Sequence, residues 1–93
     1  MEQQNQIQIK FDDKDLKPVY SNMVEIRNTK EEILLTFFGV FPPVGNLLAR
    51  IAMSPAHAKR LMQVLQKNIE IYEKQFNNIE PAQEKKIPEL NSS

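Results

Sequence analysis

The chain has 93 residues, 12 basic and 12 acidic, and is 41% hydrophobic and 26% charged, with no cysteine and no tryptophan. That length makes one small domain with a modest core. Balanced charge gives no global field to attract nucleic acid or an anionic membrane, and the lack of cysteine excludes disulfides, thiolate catalysis and the commonest zinc sites.

The N-terminus, Met1-Glu2-Gln3-Gln4-Asn5-Gln6, has neither the basic start nor the apolar run of a signal peptide. Nor does any apolar run approach the length of a membrane span. A cytoplasmic protein is therefore expected. Residues 1–6 read as a flexible N-terminus, 7–79 as a single sheet-plus-helix domain, and 80–93 as a disordered tail, with two prolines and mixed charge.

Ile7-Gln8-Ile9-Lys10-Phe11 alternates with period two, which predicts a first strand. Asp12 to Pro18 breaks it. Asp12-Asp13-Lys14-Asp15 resembles a calcium loop only superficially, lacking the glycine and the terminal glutamate at the required spacing, and reads as a charged turn. Residues 19–28 form the second predicted strand, with Tyr20, Val24 and Ile26 on one face and Met23, Glu25 and Arg27 on the other. Asn22 within it reads as a buried amide serving backbone groups. Asn28-Thr29-Lys30 is a hairpin connection into Glu31 to Val40. This third strand is apolar on both sides: Ile33, Leu35 and Phe37 face one way, Leu34, Phe38 and Val40 the other. Phe41-Pro42-Pro43-Val44-Gly45-Asn46 reads as a loop, because two prolines cannot donate to a central ladder. Leu47 to Met53 reads as a fourth strand, in which Arg50 is expected to form a structural pair, with Glu25 as the named candidate; an edge position or contact with a partner's carboxylate or a phosphate are the alternatives.

A helix follows. Ser54 is a favoured N-cap and Pro55 suits the first helical position, where its missing N–H costs nothing. Residues 56–76 contain no Gly or Pro, Asn77-Asn78 can supply a left-handed cap, and Pro81 forbids continuation. The fold class is α+β: an antiparallel sheet of about four strands followed by one long C-terminal helix packed on it.

The helix carries more than one apolar row. Ala58, Leu61, Met62, Leu65, Ile69, Tyr72 and Phe76 cluster in one direction at about 100° per residue, and this stripe is expected to cover the sheet. Beside it runs His57, Leu61, Val64, Asn68, Ile71 and Gln75, with the 4-3-4-3-4 spacing of helix-on-helix packing. Leu61, Val64, Asn68 and Ile71 are thus candidate interface residues, with Asn68 placed to meet its symmetry mate. The doubly apolar third strand argues for assembly independently, since large contiguous apolar patches are rare on monomers.

No motif supports catalysis, a cofactor or a metal. His57 is the one histidine and reads as structural or solvent-facing. Asn91-Ser92-Ser93 matches a glycosylation acceptor only by pattern.

Val19 to Ile26, Glu32 to Phe37 and above all Met53-Ser54-Pro55-Ala56-His57-Ala58-Lys59-Arg60-Leu61, continued by Leu65 to Phe76, resemble a family of short prokaryotic proteins catalogued only as a domain of unknown function. The resemblance spans roughly residues 7–80 and implies a compact sheet-plus-helix module without an assigned reaction. The leading expectation is a non-enzymatic module that self-associates, a dimer first of all, with a further protein or nucleic acid as other possible partners and no membrane. One alternative is single-strand nucleic-acid binding, by analogy with the Pur, Whirly and positive-cofactor-four architectures; Lys10, Tyr20, Arg27 and Arg50 are its candidate contacts. The other is a chaperone that holds unfolded chains, in the manner of SecB.

Overall fold

The computed structural model describes residues 6–83. Its elements are a short 3-10 turn (Asp13–Leu16), strands β1 (Met23–Asn28), β2 (Ile33–Phe41) and β3 (Val44–Met53), and helix α1 (Pro55–Gln75). The three strands form one antiparallel sheet in the order β1-β2-β3, so β2 is central and hydrogen-bonded on both edges. The chain divides into two compact units, Met1–Pro55 and Ala56–Ser93, taken here in turn. Most of the expected loose termini lies outside the described residues.

The α+β class holds, with three strands rather than four. Ile7 to Phe11 is not a strand; Ile7 and Ile9 are exposed and no described strand pairs with the segment. Alternating polarity fits a segment for a half-buried strand, but the ladder bonds must come from a neighbour. The expected charged turn is present as the 3-10 turn, closed by the Asp15 amide donating to the Asp12 carbonyl at 2.9 Å and the Asp12 amide donating to Asp15 Oδ2 at 2.9 Å.

β1 begins at Met23, later than expected, because a side chain replaces the ladder just before it. Asn22 Nδ2 donates to the Val40 carbonyl at 2.9 Å, and the Val40 amide donates to Asn22 Oδ1 at 2.8 Å. A primary amide offers the same donor–acceptor pair as a peptide group, so Asn22 extends the pairing while the backbone leaves it. The Asn22 amide still reaches the Phe38 carbonyl at 3.1 Å, and Ser21 Oγ donates to the same oxygen at 2.9 Å. Asn22 thus serves backbone groups as expected, although from an exposed position.

The β1–β2 connection is Thr29 to Glu32. It is tied by the Thr29 amide donating to the Glu32 carbonyl at 2.9 Å and the Glu32 amide donating to Thr29 Oγ1 at 3.2 Å. The β2–β3 connection is tighter than the sequence implied. Strand pairing runs up to Phe41 and Val44, with only Pro42 and Pro43 between them, joined by a cis peptide bond. The prolines sit where the hairpin needs no ladder donor, which frees Val44, Gly45 and Asn46 to pair with β2. One irregularity interrupts this ladder: Phe37 faces Ala49 but Phe38 faces Leu47, so Leu48 is an extra residue. Gly39 lies close by. A Cβ on it would meet the Tyr20 carbonyl oxygen at 3.3 Å and Leu48 Cδ1 at 3.4 Å. The missing side chain lets the segment before β1 and the bulged leucine approach β2.

Helix α1 starts at Pro55 as predicted, with Ser54 at the N-cap position. Its far end is not closed by a left-handed asparagine, since no described non-glycine residue has positive φ. Instead the Ile79 amide donates to Glu73 Oε2 at 2.8 Å, so a side chain from the last turn satisfies the departing backbone.

Replacing Asn22 with Val removes both bonds to Val40 and leaves two backbone groups of β2 to water. Stability by chemical denaturation should fall by about 1–2 kcal/mol. Asn22→Asp retains the acceptor but sets a carboxylate against the Val40 carbonyl, and should recover only part of that loss. An unchanged midpoint for Asn22→Val would show that water substitutes fully for the side chain.

Candidate interaction site

Register across the sheet fixes what each face presents, because directly opposed residues of antiparallel strands share a face. One face carries the rows Ile26–Leu35–Ile51 and Val24–Phe37–Ala49. These two rows are apolar from edge to edge, with Ile26 59% and Ile51 46% exposed at the margins and Leu35 and Phe37 half-buried between them, and the end row Asn28–Ile33–Met53 adds one polar margin. The opposite face carries Glu25–Thr36–Arg50 and Arg27–Leu34–Ala52. Thr36 and Phe38 on this second face are buried, at 2% and 5% exposure. Both faces of β2 are thus apolar as predicted, but only the second has a fully buried centre.

The helix is more extreme. No residue of α1 is buried. Leu61, Val64, Ile69, Ile71 and Tyr72 keep between 37% and 49% of their surface, while Met62, Leu65 and Phe76 keep 55–62%. Apart from half-buried Ala58, the side chains of the main stripe are exposed. Periodicity identifies the face that seeks cover; it does not identify what provides it. Tyr72 and Phe76 pack on each other along this stripe, with ring centroids 4.8 Å apart. In the neighbouring row, Asn68 Nδ2 donates to the Val64 carbonyl one turn back at 2.9 Å. Its donor is therefore turned onto its own helix between Leu61 and Ile71.

The four candidate nucleic-acid contacts are distributed over different elements. Arg27 on β1 and Arg50 on β3 share the mixed face, where Arg27 Nη2 lies 3.3 Å from Glu25 Oε2. Glu25 therefore pairs with its own strand rather than with Arg50, although both share a row through Thr36. The shorter path wins: Glu25 and Arg27 are neighbours on one face of one strand. Tyr20 stacks on Phe41 at 6.3 Å, and Lys10 lies in the segment ahead of the 3-10 turn. Among the described residues no group of histidines and carboxylates is placed to hold a metal ion, and no helix is long and apolar enough to cross a membrane.

What sequence reasoning missed is the ladder-completing pair of Asn22 with Val40 and the apolar rows of the first sheet face beyond β2. Ile51 and Ala49 carried a signal for the latter, but their facing depends on the extra residue Leu48.

The chain belongs to the family described as "Protein of unknown function (DUF3467)", whose model matches residues 1–81. No curated protein and no solved structure matches it.

Asn68→Leu would make the row Leu61, Val64, residue 68 and Ile71 continuously apolar. If that row borders a helix contact, the thermal midpoint should rise and the assembly should lose its single defined mass, as when core asparagines of coiled coils are replaced. A row facing only water predicts a stability change below about 0.5 kcal/mol and an unaltered mass, by denaturation and light scattering.

Proposed function

We propose that this protein is a non-enzymatic interaction module that works as a homo-oligomer. The observation supporting this reading is the helix: a long, regular element whose large apolar side chains all keep more than a third of their surface in water. Completing the burial of a half-exposed Leu, Ile, Met or Phe contributes on the order of 1 kcal/mol. Summed over Leu61, Met62, Leu65, Ile69, Ile71, Tyr72 and Phe76, the gain is of the size needed to offset the entropy lost on association. The apolar sheet face adds to the same drive.

A module of this type needs no reacting group, which agrees with the composition: no cysteine, a single histidine and two glycines. The neutral overall charge gives no support to a nucleic-acid role, and the ion pair between Arg27 and Glu25 uses one of the few cations on the sheet. Cytoplasmic localisation belongs to this reading as well.

Light scattering at micromolar concentration should return a multiple of the 10.8 kDa chain mass, falling toward the single-chain value on dilution. A 10.8 kDa particle at both ends of a hundredfold concentration series would overturn the reading. A single-stranded DNA mobility shift that weakens steeply with salt would replace it with the nucleic-acid alternative.

A further inference from the structure

We propose that α1 pairs antiparallel with α1 of a second copy, through Ala58, Met62, Leu65, Ile69, Tyr72 and Phe76. This rests on the self-association reading above and names its contact surface. These six residues follow a 4-3-4-3-4 spacing without a polar interruption, the repeat that keeps a seam facing a partner helix. The neighbouring row, by contrast, is broken by Asn68 and ends in His57 and Gln75. The six-residue row is also the more exposed: Met62, Leu65 and Phe76 each keep more than half their surface.

Side-chain sizes set the direction. In an antiparallel pair centred near Lys67, Ala58 lies opposite the partner's Phe76, Met62 opposite the partner's Tyr72, and Leu65 opposite the partner's Ile69. Small thus meets large at each end and medium meets medium at the centre, which keeps the layers equally thick. A parallel pair in register sets Phe76 on the partner's Phe76 and Tyr72 on its mate, with Ala58 on Ala58 at the other end. Its two helices diverge toward one end.

Charge gives the same answer independently. One flank of the seam carries Lys59, Gln66 and Glu73. Antiparallel pairing places Lys59 beside the partner's Glu73, Gln66 beside its own mate, and Glu73 beside the partner's Lys59. The bond from the Ile79 amide occupies one oxygen of Glu73, leaving the other for this contact. On the opposite flank Leu61 borders the partner's Gln75, and Asn68 borders its mate. Arg60, Lys67 and Lys74 point away on the outer side. Opposed helix dipoles also favour this orientation over the parallel one.

The area is sufficient. Five large side chains about half exposed, at roughly 200 Å² each, present on the order of 500 Å² per chain and about 1,000 Å² for the pair, the floor for a specific interface. A 21-residue helix, about 30 Å long at 1.5 Å per residue, accommodates the five layers from Ala58 to Tyr72, and Phe76, one residue beyond its end, keeps the helical bond of its amide to the Tyr72 carbonyl at 2.9 Å and supplies the sixth.

Because the chain has no cysteine, introduced thiols report unambiguously. Lys59→Cys and Glu73→Cys proteins, checked for unchanged helicity by circular dichroism, are mixed and treated with a short bismaleimide. The expected product is the 59–73 heterodimer, with little product from either variant alone. Like-with-like products from the separate variants would establish a parallel pair. An assembled mass without any helix cross-link would assign the seam another occupant. Either result overturns this inference and leaves self-association standing, whereas a monomeric wild-type chain removes both. A charge swap provides the second reading: Lys59→Glu should weaken dimerisation roughly three- to tenfold, and adding Glu73→Lys should restore it. A double variant as weak as the single one counts against the antiparallel pair.

Discussion

The central strand β2 governs this structure. Its backbone groups are committed to β1 and β3, so nothing polar remains along its edges, and both its faces are dominated by large apolar side chains. A strand of that kind needs cover above and below. In a single small chain only the face around Thr36 and Phe38 reaches full burial. The helix that follows leaves its own apolar rows exposed as well. Large apolar side chains therefore remain exposed on both units, and this surplus is what the proposed self-association would bury.

Around β2 the backbone is shaped by a few polar and small residues. Asn22 lets the chain leave the ladder without abandoning the donor and acceptor of Val40. Gly39 gives room for the departing segment and for the extra residue Leu48. Pro42 and Pro43 turn the chain where no N–H is required. Each device keeps β2 fully bonded while its neighbours bend away from it, and a fully bonded centre suits a sheet with little burial.

Much of this was legible in the sequence. Ser54-Pro55 marked the helix start to the residue, and residues 33–40 were read as a strand apolar on both faces, the strand that proves to be central. The failures share one cause: a local pattern was asked to report a distant partner. Ile7 to Phe11 alternates as a strand should, yet no described strand pairs with it. The prolines at 42 and 43 marked a turn correctly, but turn width depends on whether Val44 to Asn46 find ladder partners, which is a property of β2. Arg50 was expected to pair with Glu25; the two share a row through Thr36, but Glu25 bonds Arg27 instead, which side-chain reach decides. Asn22 was legible in role, because an amide between β-type residues has few other uses.

The proposed manner of assembly also bears on solubility. A sheet of three strands has two open edges, and edge-to-edge pairing can propagate without limit. The edge strands here carry charge: Glu25 and Arg27 on β1, and Arg50 on β3. These side chains make stacking of further sheets onto the mixed face costly. A pair of antiparallel helices, by contrast, is isologous, since each chain gives and receives the same surface, and such a contact closes on itself. In the proposed antiparallel pair, a long uninterrupted apolar seam on the helix and charges on the edge strands would direct the surplus apolar surface into a finite particle. The basic column Arg60, Lys67 and Lys74 lies on the helix flank away from that seam, where like charges on separate particles oppose further growth. Finite closure is what distinguishes an interaction module from an aggregating chain of the same hydrophobicity, and in the proposed pair it would follow from where the apolar and charged rows are placed rather than from their amounts.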